Sequence, residues 1–183
     1  NMATLFVDKI DPQSGTSLTI GSSGDTVALT SGVKQSNLMY PSFVAYRTSS
    51  AQSLSNNTTT KCEYNTELFD TDSCYDNSTN YRFTPTVAGK YFVYHQVGYG
   101  RNTSNVFENG QVFIYKNGSN IASQQTSKNA ASNFEMASIH TICEMNGTSD
   151  YLEGYIQIGV SSGTRSLNTD LNVNQFGAYR IGS

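Results

Sequence analysis

The first residues to weigh for chemistry are three carboxylates in "FDTDSCYD": Asp70, Asp72 and Asp76. Their spacing resembles the opening of a calcium loop. Such a loop needs glycine at its sixth position and a closing glutamate. Here the sixth position, counted from Asp70, is Tyr75, and no glutamate closes the run. We therefore expect these carboxylates to accept hydrogen bonds from turn backbone N–H groups, and we expect no metal and no cofactor. His95 and His140 are the two histidines, each embedded in apolar, strand-like sequence. Without a carboxylate or thiolate cluster they make no zinc site, and both read as core or interface residues. Cys62, Cys74 and Cys143 lack C-x-x-C spacing. One bridge, Cys62–Cys74, is compatible with the sequence, but three reduced, mostly buried thiols are the simpler reading. No G-x-S-x-G elbow, P-loop or dinucleotide fingerprint occurs. Glycoside hydrolysis needs two facing carboxylates, a spatial pairing that a sequence does not display. The expectation is a protein that is not an enzyme.

Composition says what must hold these residues. Only 14% of the 183 residues are charged, against about 25% in an average soluble protein. The polar surface must be built from Ser, Thr, Asn and Gly. Twelve tyrosines and nine phenylalanines, with no tryptophan, favour strands and turns over helices. Net charge is −3 and the basic residues are scattered singly. A nucleic-acid ligand needs a basic face to replace counterions, so none is expected. No apolar run reaches the roughly 20 residues of a membrane helix, so no membrane insertion is expected. The opening "NMATLFVDKI" has no apolar stretch of secretory-signal length. Six Asn-x-Ser/Thr sequons, at Asn56, Asn57, Asn77, Asn102, Asn117 and Asn146, are what this composition yields by chance.

The chain divides near residue 40. Residues 1–40 contain a short repeat: "GTSLTI" from Gly15 is echoed by "GDTVAL" from Gly24, a period of nine. Leu18 and Ile20 would share one strand face, as would Val27 and Leu29. Strands this short need cover from another repeat or another chain, so residues 1–40 are read as a β-stalk or attachment segment. From residue 41 the pattern is all-β. Strands are expected at Ser42–Arg47, with Phe43 and Ala45 on one side, and at Lys61–Phe69 with a kink. Others are expected at Tyr81–Pro85, Val87–Gly100, Gln111–Lys116, Asn133–Met145, Tyr151–Val160 and Gln175–Gly182. Asn109-Gly110 and Asn117-Gly118 read as hairpin turns framing Gln111–Lys116. Eight to ten strands without helical periodicity make a sandwich or barrel.

Residues 69–97, "FDTDSCYDNSTNYRFTPTVAGKYFVYHQV", resemble the signature of the C1q/TNF-like globular head. The matching positions are Phe69, Tyr75, Asp76, Phe83, Pro85, Gly89, Tyr91, Phe92 and Tyr94. Downstream "QVFIYKNG" and the closing "FGAYRIG" resemble two further strands of that family. The family's Leu-x-x-Gly-Asp-x-Val is replaced here by "CEMNGTSDYLEGYIQI". The resemblance covers residues 41–183 and implies a ten-stranded jelly-roll β-sandwich that assembles as a homotrimer. On that reading Phe83, Tyr91, Phe92, Tyr94, Phe176 and Tyr179 are the core and trimer aromatics. Tyr91, Phe92 and Tyr94 are too closely spaced to share one strand face, so one side must fill the core and the other needs a partner.

The glycine-punctuated N-terminal segment looks like the β-stalk of marine bacteriophage fibres. The expectation is a virion protein: a trimeric fibre head for host attachment, tied to other virion proteins through residues 1–40. Its host partner would be a surface glycan or protein. A secreted, cellular C1q/TNF-like binding module is the alternative. Counting strands up and down from the stalk places Ser49–Thr60, Ser119–Ser132, Ser161–Asn172 and the short Pro85–Ala88 connection at the far end. Lys128, Asn129, Arg165 and Asn168 are the candidate receptor-facing residues there. The same count puts Tyr99, Arg101 and Phe107 at the stalk end, as neck or interface.

Overall fold

The computed structural model describes residues 10–16, 18–28, 31, 40–99, 106–127 and 134–182, with Val106 described by its backbone alone. These residues fall in two units, 1–36 and 37–183.

The second unit is an all-β, two-sheet sandwich. Its strands among the described residues are β1 (Ser42–Tyr46), β2 (Gln52–Ser53), β3 (Thr60–Lys61), β4 (Thr66–Asp70), β5 (Tyr75–Asp76), β6 (Arg82–Phe83), β7 (Gly89–Tyr99), β8 (Val106–Lys116), β9 (Ser119–Ser127), β10 (Glu135–Met145), β11 (Leu152–Ser162), β12 (Ser166–Leu167) and β13 (Gln175–Gly182). One sheet, here sheet A, runs β10-β7-β13-β1-β4; the other, sheet B, runs β5-β6-β11-β8-β9, with β3 also on β11. A small β12-β2 ladder ties two loops. No helix occurs among the described residues.

Alternation builds the core. On β7, Tyr91, Val93, His95, Val97 and Tyr99 point inward and are fully buried. On β8 and β11 the inward residues are Val112, Ile114, Leu152 and Ile156. Phe43 stacks between Tyr75 and Phe83, at 4.8 and 4.4 Å, and meets Phe176 edge-on at 5.3 Å. Such offset and edge contacts are the geometries aromatic quadrupoles favour.

Of three turn and loop expectations, one holds and two are corrected. Asn117-Gly118 is the β8–β9 hairpin turn, with φ of 51° and 77° and Lys116 facing Ser119. Positive φ at both central residues marks the turn that matches strand twist. Asn109-Gly110, by contrast, lies inside β8. Glycine serves close packing there: a Cβ would sit 2.4 Å from the Tyr99 ring. The Ser119–Ser132 loop is mostly strand, because Ser119–Ser127 is β9. It is a sheet edge with one partner, so its residues need no apolar alternation. Lys128 and Asn129 lie outside the described residues.

Strand direction defines two ends. β1 starts, β13 ends, β7 starts and β10 ends at one of them, here the near end, as the register Ser42↔Tyr179 and Met145↔Gly89 requires. The Pro85–Ala88 connection is at this near end, not the far one: Arg180 Nε donates to the Ala88 carbonyl at 3.0 Å, and Gly147 packs on Ala88. The strand count missed this because β5 and β6 are two-residue strands that reverse the chain without crossing the sheet.

In the first unit the nine-residue repeat forms no strand among its described residues, and Leu18, Ile20 and Val27 are exposed. Leu29 lies outside the described residues. A turn does form: Asp25 N–H donates to the Ser22 carbonyl at 3.0 Å, with Gly24 at φ 93°.

Candidate functional site

The sandwich buries one face of sheet A and leaves the other open. Register assembles that open face row by row. Ile142, Phe92 and Tyr179 lie side by side across β10, β7 and β13. The next row is His140, Tyr94, Gly177 and Val44. Phe92 stacks on the His140 ring at 5.7 Å and 24°, and meets Tyr179 at 5.3 Å. Ile142 is 58% exposed and Met136 45%. Tyr94 lies flat across β13, where a Cβ on Gly177 would come within 2.6 Å of its ring. Leu68 and Phe69 on β4 extend the exposed apolar surface, where a bulge between Val44 and Ala45 inserts one residue. Exposed apolar surface of this kind marks an interaction site.

The six aromatics picked from the sequence therefore divide. Phe83, Tyr91 and Phe176 are fully buried in the core. Phe92, Tyr94 and Tyr179 sit on the open face.

The far-end loops are stitched together. Asn56 Oδ1 accepts from Val160 N–H at 3.0 Å and its Nδ2 donates to the Val160 carbonyl at 3.1 Å. Arg165 is part-buried: its carbonyl accepts from Leu54 N–H at 3.1 Å and its Nε donates to the Leu54 carbonyl at 3.4 Å. Asn168 is part-buried as well, its carbonyl accepting from Asn174 Nδ2 at 3.2 Å. Both candidate receptor residues thus brace the loop layer. Tyr99 and Phe107 are not neck residues. They pack together in the core at 5.2 Å, toward the far end. Arg101 lies outside the described residues.

The polar centre of the core is His95. Its Nδ1–H donates to the Phe113 carbonyl at 2.9 Å, so Nε2 accepts from the Tyr64 hydroxyl at 2.8 Å. Tyr75 in turn donates to the Tyr64 carbonyl at 3.1 Å. Burial holds the imidazole down at about 4, and the bond to Phe113 only partly offsets this. Both ring nitrogens are committed, so His95 has none to offer a metal. Cys62, Cys74 and Cys143 are free thiols, and burial pushes Cys62 far up, away from the reactive thiolate.

The acidic stretch does turn chemistry. Asp70 Oδ2 accepts from Tyr75 N–H at 2.7 Å. Asp76 accepts from the backbone of Ser78, Thr79 and Asn80, which holds its carboxyl well below the usual range. Among the described residues no group of three His, Cys, Asp or Glu side chains converges as a metal site.

Sequence reasoning missed the outer face of sheet B. Glu153, only 4% exposed, pairs with Lys61 at 2.7 Å and accepts from the Tyr155 hydroxyl at 3.2 Å. Arg82 lies over the Tyr151 ring at 4.5 Å. The signal was present in "YLEGYIQIGV", whose alternation puts Tyr151, Glu153 and Tyr155 on one side.

No family model matches this chain, and no curated protein does. Solved structures do match in fold. The crystal structure of murine APRIL at pH 5.0 superposes with a TM-score of 0.57 and 10% identity, over 76% of this chain and 98% of that one. The same protein at pH 8.0 gives 0.56 and 9%, with the same coverage. The architecture is thus the TNF-like jelly roll.

Proposed function

We propose that this protein is a trimeric, non-enzymatic binding head that tips a virion fibre or appendage and contacts the host surface. The observation that carries the reading is the open face of sheet A. Ile142, Phe92, Tyr179, Tyr94 and Met136 form an apolar surface on the same sheet whose other side fills the core. Three copies related by a closed axis would bury it. The exposed repeat residues Leu18, Ile20 and Val27 support the same stoichiometry, since three chains could share the core that one chain lacks. The virion assignment rests on the glycine-punctuated segment and on a surface of Ser, Thr and Asn with few charges. Surface ion pairs are screened in salt water, so such a surface suits a tip exposed to it. The far-end loops, Ser49–Thr60 and Ser161–Asn172, carry neutral donors and acceptors suited to sugar hydroxyls or peptide groups. Host specificity is placed there.

Sedimentation at micromolar concentration tests the assembly, and a well-folded 20.0 kDa species overturns it. Adsorption tests the role. Purified protein should compete with particles that carry it for binding to host cells. Particles that adsorb equally well at saturating protein overturn the attachment reading.

A further inference from the structure

Solvent-facing positions of an antiparallel sheet are ordinarily polar. The outer face of sheet B departs from this. On β8, Phe113 and Tyr115 alternate with the buried Val112 and Ile114; on β11, Glu153 and Tyr155 alternate with Leu152 and Ile156. The register sets Tyr115 opposite Glu153 and Phe113 opposite Tyr155. The Tyr115 and Tyr155 rings lie 4.3 Å apart at 32°, and Phe113 meets Tyr115 edge-on at 5.9 Å. Phe113 is nearly covered, and the two tyrosines remain half-buried as one aromatic surface. Beside them stands a fixed polar rim. Lys61 Nζ donates to Glu153 Oε1 at 2.7 Å and to the Asn80 carbonyl at 3.1 Å. These bonds use two of the three N–H groups of an ammonium. Tyr155 donates its own proton to Glu153, so its oxygen is left to accept.

We propose that this patch binds a neutral saccharide. A pyranose ring has an apolar C–H face and a rim of hydroxyls that both donate and accept. The Tyr115–Tyr155 surface takes the first, because a tyrosine presents an apolar body with a polar tip. The remaining Lys61 N–H, the Tyr155 oxygen and the Gln111 amide one row further take the second. Electrostatics selects the neutral class. Glu153 and Lys61 cancel at contact distance, so this pair beside the two tyrosines offers an anionic sugar or acidic peptide no net attraction. Shape favours a flat ring too, since protein hot spots seat side chains in pockets and this is an uninterrupted sheet face. The patch deepens the attachment reading by naming a ligand class on the head's flank. It rests on that reading for its use at the host surface, while binding itself requires neither trimer nor virion.

The test uses the full chain and ligand-observed NMR with galactose, glucose, mannose and N-acetylglucosamine, their β-linked dimers, and sialyllactose as the charged comparator. A neutral saccharide should bind with a dissociation constant on the order of 1 mM. Tyr115→Ala should weaken it at least about tenfold and Tyr155→Phe about threefold, while Thr148→Ala, at an exposed position between β10 and β11, changes nothing. Shifts of the Tyr115 and Tyr155 ring resonances in the unsubstituted protein should locate the sugar even where a variant fails to fold. Three results overturn the site: no neutral saccharide binding at about ten times that concentration, shifts confined to the far-end loops, or tighter binding of sialyllactose. The two readings fail separately. Saccharide binding at Tyr115–Tyr155 with no effect of the protein on adsorption refutes attachment alone. Adsorption competition without saccharide binding refutes the patch alone.

Discussion

Sheet A and sheet B each turn one face to solvent, and the two faces solve different problems. The open face of sheet A is apolar across adjacent strands: Ile142, Phe92 and Tyr179 in one row, Tyr94 and Val44 in the next. The outer face of sheet B is also aromatic, but its central carboxylate, Glu153, is matched by Lys61 and Tyr155 within the same chain. A patch whose polar groups are satisfied internally can stay in water. A patch dominated by apolar side chains gains mainly by being covered, at about 25 cal/mol per Å² of apolar area. Two aromatic surfaces of one fold therefore point to different partners: another copy of the chain, and a small polar ring.

The sharpest way to break this comparison is a charge on each face. Ile142→Asp should abolish assembly outright, seen as a shift to the 20.0 kDa species in sedimentation. Gln111→Asp on sheet B should leave assembly intact. If both variants sediment alike, the faces do not differ as argued.

Neighbours on one strand sharpen it next. Tyr91→Ala empties a fully buried ring site and should cost about 3–5 kcal/mol of subunit stability in denaturant titration. Phe92→Ala, one residue along and on the open face, should cost far less in the subunit and show its loss in assembly. Equal losses in both assays would mean that the two sides of β7 are not distinct.

Much of this fold is legible in the sequence. "SFVAY", "KYFVYHQVGY" and "QFGAYRIG" read as strands, so β1, β7 and β13 and the inward Phe43 and Ala45 could be placed directly, but which side of the two-sided β7 faces the core could not. Half-buried strands announce themselves by period. β9 could not be read so, because an edge strand of Ser, Asn and Gln carries no apolar period; its register is imposed by the Asn117-Gly118 turn. Asn109-Gly110 misled for the opposite reason. The dipeptide has turn chemistry, but Gly110 is there to let the Tyr99 ring approach. The open face was half legible: the two-sided β7 required it, but its breadth depends on which strands lie beside β7. The Lys61–Glu153 pair was invisible, since its partners are 92 residues apart.

Acid should separate core from surface. Burial holds His95 at about 4 against its ordinary 6.5, so the folded state binds fewer protons than the unfolded one. Its stabilisation is complete above 6.5 and is lost as pH falls toward 4. The gap amounts to about 3 kcal/mol, at roughly 1.36 kcal/mol per pH unit. Denaturant titrations between pH 7 and pH 4 should show this slope, and His95→Gln should flatten it. An unchanged slope in the variant would assign acid sensitivity elsewhere.

The smallest effects test the rim and the flat ring. Lys61→Met removes one partner of Glu153. Because Lys61 is 32% exposed, water can partly replace it, and a loss of about 1–2 kcal/mol is expected rather than the 3–5 of a dry pair. Gly177→Ala should push the Tyr94 ring off β13 at a subunit cost of about 1 kcal/mol, with weaker assembly because the open face is no longer smooth. Unaltered sedimentation of that variant would remove Tyr94 from the contact.

Ser42 and Gly182 leave the sandwich at the same end, on the adjacent strands β1 and β13. The head is therefore a cassette in the genetic sense. Both of its chain ends exit on one side, so it can be joined to, or inserted into, another protein without threading anything past the far-end loops. Recombination that swaps the coding segment between the two exits would transplant the binding surfaces whole, and a fusion placed after residue 182 would lie beside the N-terminal exit, leaving the far end clear.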